Sequence, residues 1–322
     1  YTICMWWQLR RKVHVSWFLA VASLGIITGV AVSQYVPVFA TMSWMVSSIG
    51  LLLYCLWGRR AYLFPLVLVA GGMIGLWRGG IDQAQLAPYR NLIGHTVTVT
   101  GTVTEDVDRG KNDERIIRLA VKSVDGSRLL GTVWVSASTQ YDIRRSDIVT
   151  VRGMFDEGFG TFVTSIYRAD VTKVQRAQPG DIALQVRDYF AAAVRLAIPD
   201  PEASLGIGYL VGQRRALPPE LDEALQIAGL THIVVASGYN LTILVRLARR
   251  MFMKISRFTA LAGASGLILS FVAITGMSPS MSRAGLVAGL SLLAWYYGRK
   301  FHPLVLLPFT AAITLLINPA FG

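Results

Sequence analysis

The sequence is poor in the residues that build disulfide frameworks and metal sites. It contains only two cysteines, Cys4 and Cys55, and both lie in or beside apolar segments. A disulfide-stabilised fold is therefore not expected. The four histidines are far apart in the sequence, at His14, His95, His232 and His302. Because no spacing resembles a zinc site or a metal-dependent nuclease, we predict no metal ion and no cofactor.

Charged residues are also scarce, at 16% of the chain, and acidic residues are the rarer kind. Lys and Arg number 31 against 19 Asp and Glu, so the net charge is +12. A basic balance indicates nucleic-acid binding, anionic lipid, or cytoplasmic loops that follow the positive-inside rule. The chain is 53% hydrophobic with a mean hydropathy of +0.48, and the apolar residues are concentrated before residue 78 and after residue 230. This distribution predicts two environments in one chain.

Apolar segments beside basic clusters predict a multi-pass α-helical membrane protein, because about 20 apolar residues cross ~30 Å of hydrocarbon. The predicted spans are 13–32, 42–57, 61–77, 230–245, 261–276, 285–297 and 303–317. Basic residues follow or precede them at 10–12, 59–60, 246–257 and 299–300. Their alternation predicts a cytoplasmic N-terminus in the cytoplasmic (inner) membrane, with the middle domain outside. A cleaved signal peptide is the alternative for the first segment, and we expect the chain to be part of a longer protein.

The middle of the chain alternates apolar and polar residues with period two, which is typical of half-buried strands. Predicted strands cover 96–103, 116–124, 130–136, 147–155 and 161–171, with a hairpin turn at Asp125-Gly126 and a possible short helix within 137–146. Five strands predict an OB-like small β-barrel over residues 90–177, with a small β-sandwich as the alternative. The other predicted parts are N-terminal spans in 1–80, amphipathic helices in 181–228, and a membrane domain in 229–322.

Barrels of this type often bind single-stranded nucleic acid through basic side chains and exposed aromatic rings. The candidate contacts are Arg115, Arg118, Trp134, Arg144, Arg145 and Arg152. Acidic residues nearly match the basic ones here, so ordinary core packing is the alternative. The helices of 181–228, the first of which Asp181 can cap, are expected on the membrane surface or packed against the barrel.

Several short motifs appear in order after residue 209. They are Leu-Val-Gly-Gln-Arg at 210–214, Pro-Glu-Leu at 219–221, Gly-Leu-Thr-His at 229–232, Ser-Gly at 237–238, Pro-Ser-Met-Ser-Arg-Ala at 279–284 and Asn-Pro at 318–319. With this order of parts, the chain resembles the ComEC-type competence proteins, which are inner-membrane channels for DNA uptake. The chain departs from the family's pattern in that Asn240 stands where many members have histidine. The later spans and the nuclease domain of many members are not in this sequence. We predict no enzymatic activity for these residues, and the alternative is that the longer protein carries a nuclease domain of its own.

The resemblance implies a channel that translocates single-stranded DNA across the cytoplasmic membrane during natural transformation. Implied partners are the DNA strand, membrane lipid, a DNA receptor, a cytoplasmic motor, and further copies of the chain. A transporter or envelope assembly scaffold is the alternative function. A membrane hydrolase is a third, although His232 and Ser237 have no acidic partner nearby and no Gly-x-Ser-x-Gly elbow.

Polar residues within these apolar segments are costly unless they face a protein interior or a water-filled cavity. The predicted DNA path is formed by His232, Ser237, Gly238, Asn240, Pro279, Ser280 and Arg283. Arg283 is suited to bidentate phosphate contacts. The alternatives are small-residue helix packing for Ser237 and Gly238, a satisfied interfacial side chain for His232, and snorkelling for Arg283.

Overall fold

The computed structural model describes residues 12–36, 41–109, 114–178, 180–212, 219–230, 238–276, 278–299 and 302–319. The helices are α1 Val15–Val32, α2 Met42–Gly58, α3 Phe64–Arg90, α4 Ile182–Ala197, α5 Glu202–Val211, α6 Pro219–Ile227, α7 Gly238–Phe252, α8 Arg257–Ile274, α9 Pro279–Tyr296 and α10 Pro303–Ile317. The strands are β1 Thr96–Val103, β2 Asp108–Arg109, β3 Arg115–Val124, β4 Thr132–Ala137, β5 Ile148–Glu157, β6 Thr164–Ile166 and β7 Asp170–Gln175. Two compact units contain residues 1–91 with 300–322, and residues 92–299.

Long apolar helices occur in both units. Among the described residues, Val15–Val32, Ala61–Arg90 and Arg257–Ile274 are long and apolar enough to cross a membrane, and α2 and α10 are shorter apolar helices. These helices are compatible with a membrane protein. The bounds of α3 and α9 differ from the predicted spans. The third predicted span continues as helix to Arg90, and α9 begins six residues early, at Pro279, where Ser278 caps it and proline occupies the first turn.

The predicted position of one basic cluster is wrong, because several of its arginines lie within helix α7. The sequence predicts a span at 230–245 followed by a basic loop, but α7 continues to Phe252 and includes Arg246, Arg249 and Arg250. Residues 231–237 lie outside the described residues. Arg249 and Arg250 lie in the last turn of the helix, where cations complement the helix dipole, so the charges favour helix instead of ending it.

Close backbone contact between α1 and α3 organises the first unit. A Cβ atom added at Gly25 or Gly29 would collide with the backbone of α3, and one added at Gly71 or Gly75 would collide with that of α1. Glycine therefore permits the approach, as is common where apolar helices pack without a hydrophobic driving force between them. Arg78 of α3 donates to the carbonyl oxygens of Leu316 and Ile317, at 2.8 and 3.0 Å, at the end of α10.

The predicted barrel is confirmed as a closed ring of five strands in the order β1-β3-β4-β6-β5, which returns to β1. All pairs in this ring are antiparallel except β4 with β6, which is parallel. In addition to the ring, β2 pairs with β3 and β7 pairs with β5, both antiparallel. Fully buried aliphatic residues such as Val99, Ile117, Val133 and Val151 fill the interior, each stabilising the fold by about 1.5–3 kcal/mol.

Two local predictions in the barrel are wrong. The fifth predicted strand, 161–171, is two short strands, because Tyr167 to Ala169 turn the chain between β6 and β7 and Arg168 has a positive φ of 53°. The segment 137–146 contains no helix. Its polar groups have other partners: the Asp147 carboxylate accepts from the Arg144 backbone N–H at 2.9 Å, so the loop is stabilised by side chains.

Candidate nucleic-acid interface

The Ser-Gly and Pro-Ser-x-x-Arg-Ala motifs meet where α7 and α9 begin. Gly238 is the first residue of α7, and a Cβ atom there would lie 2.8 Å from the Cβ of Ala284 in α9. Only glycine lets the two helices approach this closely. The structure therefore brings two motifs that are about 40 residues apart into contact, whereas His232 and Ser237 lie outside the described residues.

The other motif residues divide into a buried one and exposed ones. Asn240 is 6% exposed, and its Nδ2 donates to the backbone oxygen of Tyr209, at 3.1 Å. The side chain thus fastens α7 to α5, which favours packing over a place on an open path. Ser280 and Arg283 are exposed in the first two turns of α9, and Pro279 opens that helix. Arg283 has no ion-pair partner within 4.0 Å among the described residues.

A groove with a volume of about 1040 Å³ runs between α7 and α9. Its polar lining comprises Thr242, Arg246, Arg249, Arg250 and Ser291. Its floor includes Val245 and Leu292, which belong to the hydrophobic core shared by α7, α8 and α9. The guanidinium of Arg249 lies over the Trp295 ring, 5.0 Å from its centroid. The arginines that the sequence assigned to a loop therefore line a groove of the helical domain.

Most of the predicted strand contacts on the barrel already have partners. Arg118 pairs with Asp108 at 2.8 Å and with Glu105 at 3.5 Å. Arg144 pairs with Asp142 at 2.9 Å, and Arg115 donates to the backbone oxygen of Tyr141 at 2.7 Å. These pairs lie at a part-exposed surface, where each is worth up to about 1 kcal/mol. Arg152 differs, because it is exposed and forms no ion pair with any described residue.

Arg145 does not lie on a surface that a strand could reach. Its side chain is 5% exposed and its Nε donates to Asp181 Oδ2 at 2.7 Å. Its Nη1 donates to the backbone oxygen of Ile274 at 3.2 Å, at the end of α8. The prediction of Arg145 as a strand contact is therefore wrong. Because a buried guanidinium needs partners, this residue instead joins the barrel, the start of α4 and the end of α8.

A second buried arginine also fastens α4 to the barrel. Arg187, with a side chain that is 5% exposed, pairs with Asp106 in the loop after β1. Burial alone would lower the pKa of Arg187, but the hydrogen bond and charge of Asp106 outweigh burial and raise it. Together with Asp181, which caps α4 through the Leu184 N–H at 3.0 Å as predicted, this pair supports the packing of α4 against the barrel. The membrane-surface position of the other helices in 181–228 stays a prediction.

The pKa values of two carboxyl groups in this region, those of Asp181 and Glu105, are shifted in opposite directions. At Asp181 burial would raise the pKa, but the hydrogen bonds from Arg145 and Leu184 lower it below its ordinary value. At Glu105 burial dominates and raises the pKa, although the charge of Arg118 opposes this and Asp108 adds to it. Among the described residues, no three His, Cys, Asp or Glu side chains come together as a metal site.

The comparisons with known proteins locate the family resemblance in the helical part of the chain. Residues 209–321 match the family model of the competence proteins. The match covers roughly a third of the chain and supports a ComEC-like competence family. It contains the α7 and α9 motifs and the groove between them. Neither the curated proteins nor the solved structures gave a match.

An aromatic patch on the barrel includes one residue that the sequence prediction missed. Trp134 lies 5.6 Å from Phe159 and 5.2 Å from Tyr167, and Phe159 lies 5.4 Å from Phe162, measured between ring centroids. Phe159 and Tyr167 are 46% and 53% exposed. Tyr167 was placed inside a predicted strand, where one aromatic ring reads as core. Because neighbouring side chains of a strand point to opposite faces, its position directly after the apolar Ile166 is the sequence signal for an outward ring.

Proposed function

We propose that this chain is a channel component that carries single-stranded DNA across the cytoplasmic membrane during natural transformation. The observation that carries the proposal is the match of residues 209–321 to the competence proteins. A role in competence follows most directly from that match. The strand, the channel and the cytoplasmic membrane are our extension of it, supported by the apolar helices and by the alternation of basic clusters.

In this proposal the barrel lies outside the membrane and receives the strand before the helices do. Its ring order, with a parallel pair between β4 and β6, supports an OB-type barrel. The aromatic patch offers rings on which bases can stack, and Arg152 offers a guanidinium for phosphate. Of the predicted contacts, we retain Trp134 and Arg152 as residues that bind the strand. Arg115, Arg118 and Arg144 mainly bind groups of the barrel itself.

The strand then passes the beginning of α7 and α9, where Gly238, Ser280 and Arg283 lie with His232 and Ser237 nearby in sequence. The exposed and unpaired Arg283 makes the phosphate contact. No catalytic step is needed for this passage. A DNA receptor outside and a motor in the cytoplasm complete the proposed pathway.

Uptake of labelled DNA by cells that carry Arg283→Ala tests the path. A lost charge-assisted contact of about 1.5 kcal/mol predicts roughly tenfold lower uptake. Arg299→Ala is the matched control, since Arg299 is an exposed arginine beyond the end of α9. His232→Ala is expected to behave like Arg283→Ala. Unchanged uptake in both variants, at normal membrane levels, would refute the path.

Binding of a fluorescent single-stranded oligonucleotide to the full chain in detergent tests the barrel. The full chain is needed because an isolated barrel would leave Arg145 and Asp106 without their partners in α4. Trp134→Ala is expected to weaken binding by about 1–3 kcal/mol through lost stacking. Tyr141→Ala, which removes a half-exposed ring outside the patch, is the control. Equal affinity for both variants would reduce the patch to a structural element.

A further inference from the structure

No carboxylate among the described residues neutralises the arginines of the α7–α9 groove. Arg246, Arg249 and Arg250 lie within five residues of one helix, and none forms an ion pair with a described residue. The sequence contains no Asp or Glu after Glu223. Like charges one turn apart on a helix repel each other. The dipole of α7 offsets part of this cost for the last turn, but the outward guanidinium groups still lack acceptors.

Aliphatic side chains also line the groove, next to the arginines. Ile243 and Leu247 are 42% and 54% exposed on α7, and Val287 and Ala288 face them from α9. None of the described lining residues is aromatic, and the Trp295 ring beside the groove already has the Arg249 guanidinium over its face, 5.0 Å from the ring centroid. A groove for a single strand would be expected to offer rings for its bases. This groove instead places guanidinium groups beside aliphatic side chains, a combination that suits a ligand with an anionic head and a hydrocarbon tail.

We infer that the α7–α9 groove binds an anionic phospholipid. The phosphate accepts hydrogen bonds from Arg246 and Arg250, whose planar guanidinium groups suit phosphate oxygens. The acyl chain lies along Ile243, Leu247 and Val287. Basic pockets between helices on the cytoplasmic side of a membrane bind anionic headgroups in this way. The inference is separate from the proposed DNA path, since it uses neither Arg283 nor the barrel.

The test is lipid retention by the purified full chain, measured by native mass spectrometry after incubation with phosphatidylglycerol or phosphatidylcholine. Wild type is expected to retain phosphatidylglycerol in preference. The double variant Arg246→Gln/Arg250→Gln is expected to lose at least roughly tenfold of that affinity, in line with about 1.4 kcal/mol or more from two lost contacts. The matched control Arg257→Gln/Arg299→Gln removes the same charge from two exposed arginines outside the groove and is expected to stay within about twofold of wild type.

Folding of the variants is checked by their thermal unfolding midpoints, and Arg246→Lys/Arg250→Lys keeps the charge if the glutamine variant unfolds. That lysine variant is expected to retain most of the lipid preference. Equal retention of both lipids by wild type would overturn the inference, as would equal loss in the control. A single-stranded oligonucleotide that displaces the lipid and depends on the same two arginines would also overturn it, and would move the DNA path into the groove. Failed lipid binding with intact DNA uptake would leave the proposed function untouched.

Discussion

The barrel with α4 and the helices α7 to α9 both contain several arginines, but the two regions surround them differently. In the barrel region the buried arginines, Arg145 and Arg187, each meet a carboxylate. In α7 to α9 no carboxylate exists, and Arg246 and Arg250 stay exposed along a groove. Burial of a charge requires a partner. Arginines that hold the fold therefore differ from arginines that are exposed to a ligand in whether a carboxylate faces them.

The largest effect is expected from Arg145→Met. The change leaves the carboxylate of Asp181 and the carbonyl of Ile274 without their buried donor, and breaking such a pair costs about 3 kcal/mol or more. Hydrogen exchange of the full chain, followed at strands β1 and β5 by mass spectrometry, measures the free energy of barrel opening.

Arg144→Met is the matched control, because this neighbouring arginine has a side chain that is 60% exposed. It is expected to change the opening free energy by less than about 0.5 kcal/mol. If both variants changed the opening free energy by the same small amount, the buried Arg145 would stabilise the barrel no more than the exposed Arg144. Burial beside a carboxylate would then not distinguish the arginines that stabilise the barrel.

The pH dependence of stability is expected to differ in sign between Asp181 and Glu105. The pKa of Asp181 is lowered in the folded chain, so its ion pair stabilises the fold above the ordinary carboxyl pKa of about 3.9, and this stabilisation is lost as pH falls through the folded pKa. Asp181→Asn is thus expected to cost about 2 kcal/mol at pH 7 and progressively less below about pH 4.

Ionisation of Glu105 is expected to change the folding stability in the opposite direction, since burial raises the pKa of this group. Its ionisation opposes folding as pH rises from the unfolded value of about 4.3 through the higher folded value. Glu105→Gln should therefore make the protein relatively more stable at pH 7 than at pH 4, compared with wild type. Urea titrations of the barrel's tryptophan fluorescence at both pH values measure this. If Asp181→Asn and Glu105→Gln changed the unfolding free energy, relative to wild type, in the same direction between pH 4 and pH 7, the opposite pKa shifts of the two groups would be contradicted.

The sequence could predict the features of the barrel region that depend on local pattern. Period-two alternation placed β1 and β3, and Asp181 was recognisable as a cap because capping needs only neighbouring residues. Arg145 could not be distinguished from Arg144 in the same way. The partners of Arg145, which are Asp181 and the Ile274 carbonyl, lie 36 and 129 residues away along the chain, and nothing local predicts such contacts.

The α7–α9 groove was missed for a related reason. Arg246, Arg249 and Arg250 follow an apolar segment, and such clusters usually mark the end of a span. Their spacing at i, i+3 and i+4 also places them on one face of a helix, but that reading requires knowing that the helix continues to Phe252. The approach of Gly238 to Ala284, which joins the two motifs, depends on tertiary packing alone.

A smaller effect is expected from Arg152→Gln, which tests whether free arginines bind ligand in the barrel as well. If Arg152 contacts one phosphate, the slope of log affinity for a single strand against log salt should become shallower by about 0.7. Arg118→Gln is the comparison, because Arg118 is occupied by Glu105 and Asp108. Oligonucleotide titrations at several salt concentrations measure both slopes. A larger change for Arg118 than for Arg152 would mean that ion-paired arginines exchange their partners for phosphate.

The smallest effect is expected from Ser291→Glu, which supplies the helical domain with the carboxylate it lacks. Ser291 is exposed in α9 and lines the groove with Arg246 and Arg250. A new surface ion pair should raise the unfolding free energy by only about 0.5 kcal/mol, while the added negative charge should reduce phosphatidylglycerol retention much more strongly. Ser291→Gln, nearly equal in size and uncharged, separates charge from volume. One glutamate lowers the net charge of the three groove arginines from +3 to +2, so the preference for the anionic lipid is expected to fall without disappearing. If the glutamate and glutamine variants showed the same preference as wild type, the charge of the groove arginines would not be its source.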